Sequence, residues 1–116
     1  MPAYGDILEP EQIEAVTDYV LSLSGAEHDS TAAEAGQEIF AENCAACHGE
    51  NGEGLRELGG PRLTDQIWLY GGSRDQIVSQ IRQPKLGVMP GWKERLDPST
   101  IKMLTVYVHS LGGGEE

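Results

Sequence analysis

Apolar residues recur along this chain at intervals of three and four, and no stretch alternates apolar with polar long enough to make a strand. Near the start, Glu9 and Pro10 open a run whose Ile13, Val16, Val20 and Leu23 share one helical face. Near the end, Asp97 as N-cap and Pro98 at the first helical position open a second, with Ile101, Leu104, Tyr107, Val108 and Leu111 on one face and Gly112 to Gly114 as the stop. Between them, Thr31 and Glu34 make a capping box for a helix through about Glu42, with Ala35, Gly36, Ile39 and Phe40 inward. Residues 49–63 are glycine-rich and read as loop, and a short helix is expected over Asp65–Leu69. Ser73 and Gln76 form another capping box for a helix to about Gln83, where Pro84 stops it. The pattern predicts an all-α fold of three to five helices.

The first and last helical segments are copies. Residues 1–25 (MPAYGDILEPEQIEAVTDYVLSLSG) align with residues 89–113 (MPGWKERLDPSTIKMLTVYVHSLGG) at a constant offset of 88, with 11 identities and no gap. Each copy reads as a Met-Pro loop followed by one helix. The repeat divides the chain into a remnant at 1–25 that closes a preceding domain, a linker at 26–30, a complete domain at 31–113 and a tail at 114–116. A remnant of this kind carries an apolar face that must be covered. It is expected to pack on the remaining domain or, by exchange, on a second copy.

Composition narrows the class. With 116 residues the chain is one domain in size, and its net charge of −11 argues against nucleic acid and anionic lipid as partners while permitting a basic protein. No apolar run of membrane-spanning length and no secretory signal is visible in it. The chain is therefore expected to be cytosolic or a soluble piece of something longer.

The only two cysteines lie in Cys44-Ala-Ala-Cys47-His48. Cys-x-x-Cys-His is the attachment signature of haem c. Thiols one turn apart can add to the two vinyl groups on one porphyrin edge, and the histidine next to the second then lies beneath the ring with its imidazole toward iron. Zinc would need further ligands, for which only His28 and His109 offer themselves. A thioredoxin-like pair lacks its strand–helix context, and a disulfide at this spacing would leave His48 without a role. One covalent haem c is the reading that uses all three residues.

A haem held this way needs a second axial ligand or an open site. Met89 stands in a loop before Pro90, well after His48, and is the candidate; Met103 falls within the last helix, where core packing is expected. Met1 occupies the matching place in the first copy, either as a former ligand or only as an initiator. The Pro61 carbonyl is placed to fix the His48 tautomer, and Arg62 or Arg56 to face a propionate. Leu63, Trp68, Val88 and Trp92 are expected in the haem wall.

Cys44-Ala-Ala-Cys47-His48-Gly49, Gly60-Pro61-Arg62-Leu63 and Met89-Pro90 together resemble a class I cytochrome c. Gly36 with Phe40, and Leu104 with Tyr107, resemble that family's crossing of N- and C-terminal helices. More narrowly, "LTDQIWLYGGS", "GVMPGW" and "VYVHSLGGGE" resemble the second haem domain of the dihaem subunit III, CcoP or FixP, of cbb3-type oxidases. Segment 1–25 resembles the close of that subunit's first haem domain. The membrane helix and first attachment motif of that subunit are not found here, and Pro84 and Lys85 depart from the pattern ahead of Met89.

The resemblance implies one-electron transfer through a six-coordinate His/Met haem. Electrons would pass from a donor cytochrome c toward the oxidase's catalytic subunit, on the periplasmic side of the inner membrane, with no reaction catalysed by the chain alone. Alternatives are the cytochrome domain of a quinohaemoprotein or other dehydrogenase, a five-coordinate gas-binding domain, and a zinc module.

Overall fold

The structure is a computed structural model, and it describes residues 1–113; the expected tail at 114–116, and Gly114 of the expected helix stop, lie outside the described residues. Among the described residues all regular structure is helical, apart from one isolated bridge between Leu55 and Gly60. The helices are α1 (Pro10–Leu23), α2 (Ser30–Asn43), α3 (Ala45–His48), α4 (Arg74–Arg82) and α5 (Pro98–Ser110), with short 3-10 turns at Tyr4–Asp6 and Arg56–Leu58. The chain divides into two compact units, Met1–Lys85 and the part from Leu86 onward.

In the first unit α1 is a member of the core. It starts at Pro10, and the Gln12 side chain accepts the Glu9 N–H at 2.9 Å, satisfying a donor that the first turn leaves open. Ile13, Val16, Val20 and Leu21 are buried along it. Thr17 is buried too, because its hydroxyl donates to the Ile13 carbonyl at 2.8 Å.

Helix α2 begins two residues earlier than the Thr31/Glu34 pair suggested. Asp29 is its cap, with its carboxylate accepting the Ala32 N–H at 2.9 Å, so Thr31 already lies inside the helix. Its buried face is Ala33, Gly36 and Phe40; Ala35, expected inward, is exposed.

Helices α1 and α2 cross at Gly36. A Cβ there would stand 2.0 Å from the Ala15 carbonyl oxygen, so only glycine permits the approach. The Tyr19 ring meets Phe40 at 5.1 Å between centroids, tilted by 60°. Within this unit Val16 and Tyr19, the first-copy counterparts of Leu104 and Tyr107, are the residues that meet Gly36 and Phe40. Phe40, Val16, Val20, Leu21 and Ile77 form the buried cluster, with Leu63, Trp68 and Ile81 packed around it. Burying a side chain such as Phe40 contributes about 1.5–3 kcal/mol.

Helix α4 closes the unit. Ser73 caps it through the expected box with Gln76, and Ile77 is its buried residue. Arg74, its first residue, donates to the Asp18 carboxylate and, at 3.2 Å, to Glu14. No helix forms over Asp65–Leu69: the Asp65 carboxylate takes the Ile67 N–H at 3.0 Å, a local bond that competes with a helical turn. In the loop at 49–63, the Arg56–Leu58 turn sits between the two residues of the Leu55–Gly60 bridge.

In the second unit the Trp92 carbonyl accepts from Arg95 and Leu96, both at 2.9 Å, and the Arg95 guanidinium lies over the Trp92 ring. Asp97 caps α5, accepting from the Ser99 and Thr100 N–H groups at 3.0 Å each. None of α5 is buried: Leu104 is 46% exposed and Tyr107 61%. Met103, expected in a core, is exposed as well. Its cap and periodic sequence favour this helix locally, but a helix of this length draws most of its stability from packing an apolar face.

Candidate functional site

Cys44 ends α2 and begins α3 at once. Its N–H still bonds to the Phe40 carbonyl at 2.8 Å, while its own carbonyl accepts from Cys47 at 3.1 Å and His48 at 3.0 Å. The buried Phe40 ring, one turn upstream, therefore anchors the segment that carries both thiols. Gly49 follows with φ 83°, a left-handed conformation that ends the turn directly behind His48. From the other side, the Tyr4 hydroxyl donates to the Asn43 carbonyl and ties the first copy to the base of this turn.

The loop at 49–63 wraps the histidine. Gly54 N–H donates to the His48 carbonyl at 2.7 Å, and Leu63 N–H to Gly52 at 2.7 Å. Leu55 and Gly60 exchange hydrogen bonds at 3.0 Å. These bonds press Gly60 against Cys47, where a Cβ would come within 1.6 Å of the Cys47 carbonyl. They also deliver the Pro61 carbonyl to His48 Nδ1 at 2.9 Å. Nδ1–H is thus the donor, which leaves the Nε2 lone pair available to a metal. The imidazole is 9% exposed, so the loop fixes both its tautomer and its orientation.

Both thiols are free, Cys44 half-buried and Cys47 exposed. Burial, with a smaller contribution from Cys47, pushes the Cys44 thiol up to about 11. Burial and the same two cysteines raise the Tyr4 phenol. Two thiols on one turn beside an oriented imidazole are a donor set that fits a covalent haem. Among the described residues no three of His, Cys, Asp and Glu gather as ligands for a metal ion, so the zinc alternative finds no site there.

Of the other residues singled out from the sequence, Leu63 and Trp68 are partly buried against the Phe40 cluster. Arg62 and Arg56 are exposed. In the second unit Val88 and Trp92 are exposed, and Met89 is 82% exposed in the segment leading to α5. Sequence reasoning missed Tyr4, Gly60 and the Arg74–Asp18–Glu14 group. The signal for the last was available: the two copies differ in charge at positions 14 and 102, Glu against Lys, and 18 and 106, Asp against Val.

A helical unit with Cys-x-x-Cys-His on the turn after a core helix, and a carbonyl orienting the histidine, is the architecture of a c-type cytochrome. Comparison with known proteins makes it more particular. Residues 31–108 match the family model described as cytochrome c oxidase, cbb3-type, subunit III, and the chain belongs to that family. It is 60% identical over 116 residues to the cbb3-type cytochrome c oxidase subunit FixP of Azorhizobium caulinodans, covering 99% of this chain and 40% of that protein. It is 50% identical over 117 residues to the subunit CcoP of Cereibacter sphaeroides, with the same coverage. To the CcoP of Rhodobacter capsulatus it is 51% identical over 124 residues, 99% of this chain and 42% of that one. The chain thus spans about two-fifths of the relatives it matches. Among the described residues no helix is long and apolar enough to cross a membrane.

Proposed function

We propose that this chain is a one-electron relay of a cbb3-type oxidase, carrying a single haem c bound through Cys44 and Cys47 with His48 and Met89 as axial ligands. The haem supplies an iron that cycles between ferrous and ferric states. The chain's part is to hold that iron's coordination constant in both states, so that little rearrangement opposes the electron. The observation that carries the reading is the His48–Pro61 hydrogen bond on the Cys-x-x-Cys-His turn. A carbonyl acceptor on Nδ1 makes the imidazole a more basic ligand and holds its plane. Thioether ligation from Met89 would raise the potential relative to a second imidazole, which suits a carrier that accepts from one cytochrome and delivers to an oxidase.

The names of the relatives support the destination, the oxidase's catalytic subunit; a donor cytochrome c and a periplasmic setting complete the proposal. The net charge of −11 suits a basic donor attracted over distance. Mass spectrometry of the purified protein should show one haem added. The ferrous form should be low-spin and slow to take up carbon monoxide, and Met89→Ala should open the iron to it. An unmodified mass would overturn the attachment. A Met89→Ala protein as inert as the parent would overturn the second ligand.

A further inference from the structure

Helix α4 ends because Pro84 cannot continue it. The Gln83 N–H makes the last helical bond, to the Ser79 carbonyl at 2.9 Å, and Gln83 itself leaves the helical region at φ −145° and ψ 88°, as proline requires of the residue before it. The chain then turns back on the helix. The Lys85 N–H donates to the Gln80 side-chain oxygen at 3.1 Å, and the Gln80 side-chain N–H donates to the Lys85 carbonyl at 3.2 Å. One amide side chain thus holds both polar backbone groups of Lys85. Among the described residues, the next one along the chain to enter a hydrogen bond is Trp92. Leu86, Val88 and Met89, which lie between, are exposed.

Met89 is four residues beyond Lys85 and six beyond Gln83. A methionine thioether carries no charge and competes with small molecules for an iron site, so its occupancy depends on how closely the chain confines it. Ligation by a side chain of the same polypeptide closes a loop, and the cost of closure grows with the number of free residues. Holding Lys85 takes the two residues nearest the helix out of that free length. Pro84 makes the reversal, and Gln80, half-buried on α4, secures it.

We propose that Gln80 is a positioning residue for the proposed sixth ligand: its amide clamps Lys85 and so confines the loop that presents Met89 to iron. The proposal rests on Met89 being that ligand. Imidazole, added to the ferric haem-loaded chain and followed by absorption, tests both, because it competes with Met89 for the iron. Met89→Ala removes the competitor and should bind imidazole most tightly. Gln80→Leu keeps a good helix former and loses both bonds; it should raise the apparent imidazole affinity on the order of threefold. Gln80→Glu keeps only the acceptor for the Lys85 N–H and should fall between that variant and the parent. In the Met89→Ala background, Gln80→Leu should change nothing. The Lys85 amide should also exchange faster in Gln80→Leu than in the parent, read by NMR on the ferrous form. An equal rise from Gln80→Leu in the Met89→Ala background, or unchanged exchange at Lys85, would overturn the clamp's role. Tighter imidazole binding in Met89→Ala with none in Gln80→Leu would sink the clamp alone. If Met89→Ala bound imidazole no more tightly than the parent, the ligand reading would fail and this proposal with it.

Discussion

Helices α1 and α5 come from two copies of one repeat and differ in burial. Both begin with a proline at the first position and carry the same internal serine and threonine bonds. One is buried along a face against α2, and the other has no buried residue. Cap and periodicity favour a helix locally, but most of its stability comes from packing, which is settled by what stands opposite. The apolar stripe is common to both copies, while the charges at 14 and 18 are not.

The largest test of that contrast is deletion of the ring that receives α1. Phe40→Ala should destabilise the chain by about 3–5 kcal/mol in urea unfolding, since it leaves a cavity at a site with 1% exposure. Tyr107→Ala, in the unburied helix, should change stability by no more than about 0.5 kcal/mol. A comparable loss from Tyr107→Ala would mean that α5 has a core of its own, and the contrast would collapse.

Next in size is the crossing itself. Gly36→Ala forces a methyl group against the Ala15 backbone and should cost about 1–3 kcal/mol, the range for overpacking. The loss should fall on the amides of α1, read by hydrogen exchange, and leave those of residues 101–109 unchanged. If both helices were equally affected, Gly36 would not distinguish them.

How much of this was legible in the chain depends on the range of the interaction. The attachment turn was readable because Cys44, Cys47 and His48 are within five positions, and chemistry dictates their spacing. Gly36 was readable as a point of close approach because glycine in a helix interior has a cost that packing must offset. That α1 meets it was not, because both copies carry an apolar face of the same kind. The Asp29 cap was hidden by a competing Thr31/Glu34 pair two residues on. The Asp65 turn was hidden by apolar residues that suggested a helix, when one side-chain bond to Ile67 was enough to divert it. Gly60 lies in a loop whose shape depends on a return contact with Cys47, and only the fold reveals that contact.

The smallest effect concerns acid. The Asp97 carboxylate is held below its ordinary value, first by the Thr100 hydroxyl and then by the Thr100 and Ser99 N–H groups it caps. A depressed carboxylate stabilises its helix above the value it has in the unfolded chain, and that contribution is lost as pH falls through the folded value. Helix α5 should therefore fray as the solution is acidified below about pH 4, seen as faster exchange at Thr100 and Ile101 once the intrinsic pH dependence is removed. Asp97→Asn keeps an oxygen for the two N–H groups but cannot be protonated, so its α5 should respond far less over the same range. Helix α1 is the internal comparison, because its buried face gives it support that no cap supplies. Equal fraying of both helices would show that tertiary contact protects α1 less than its burial implies.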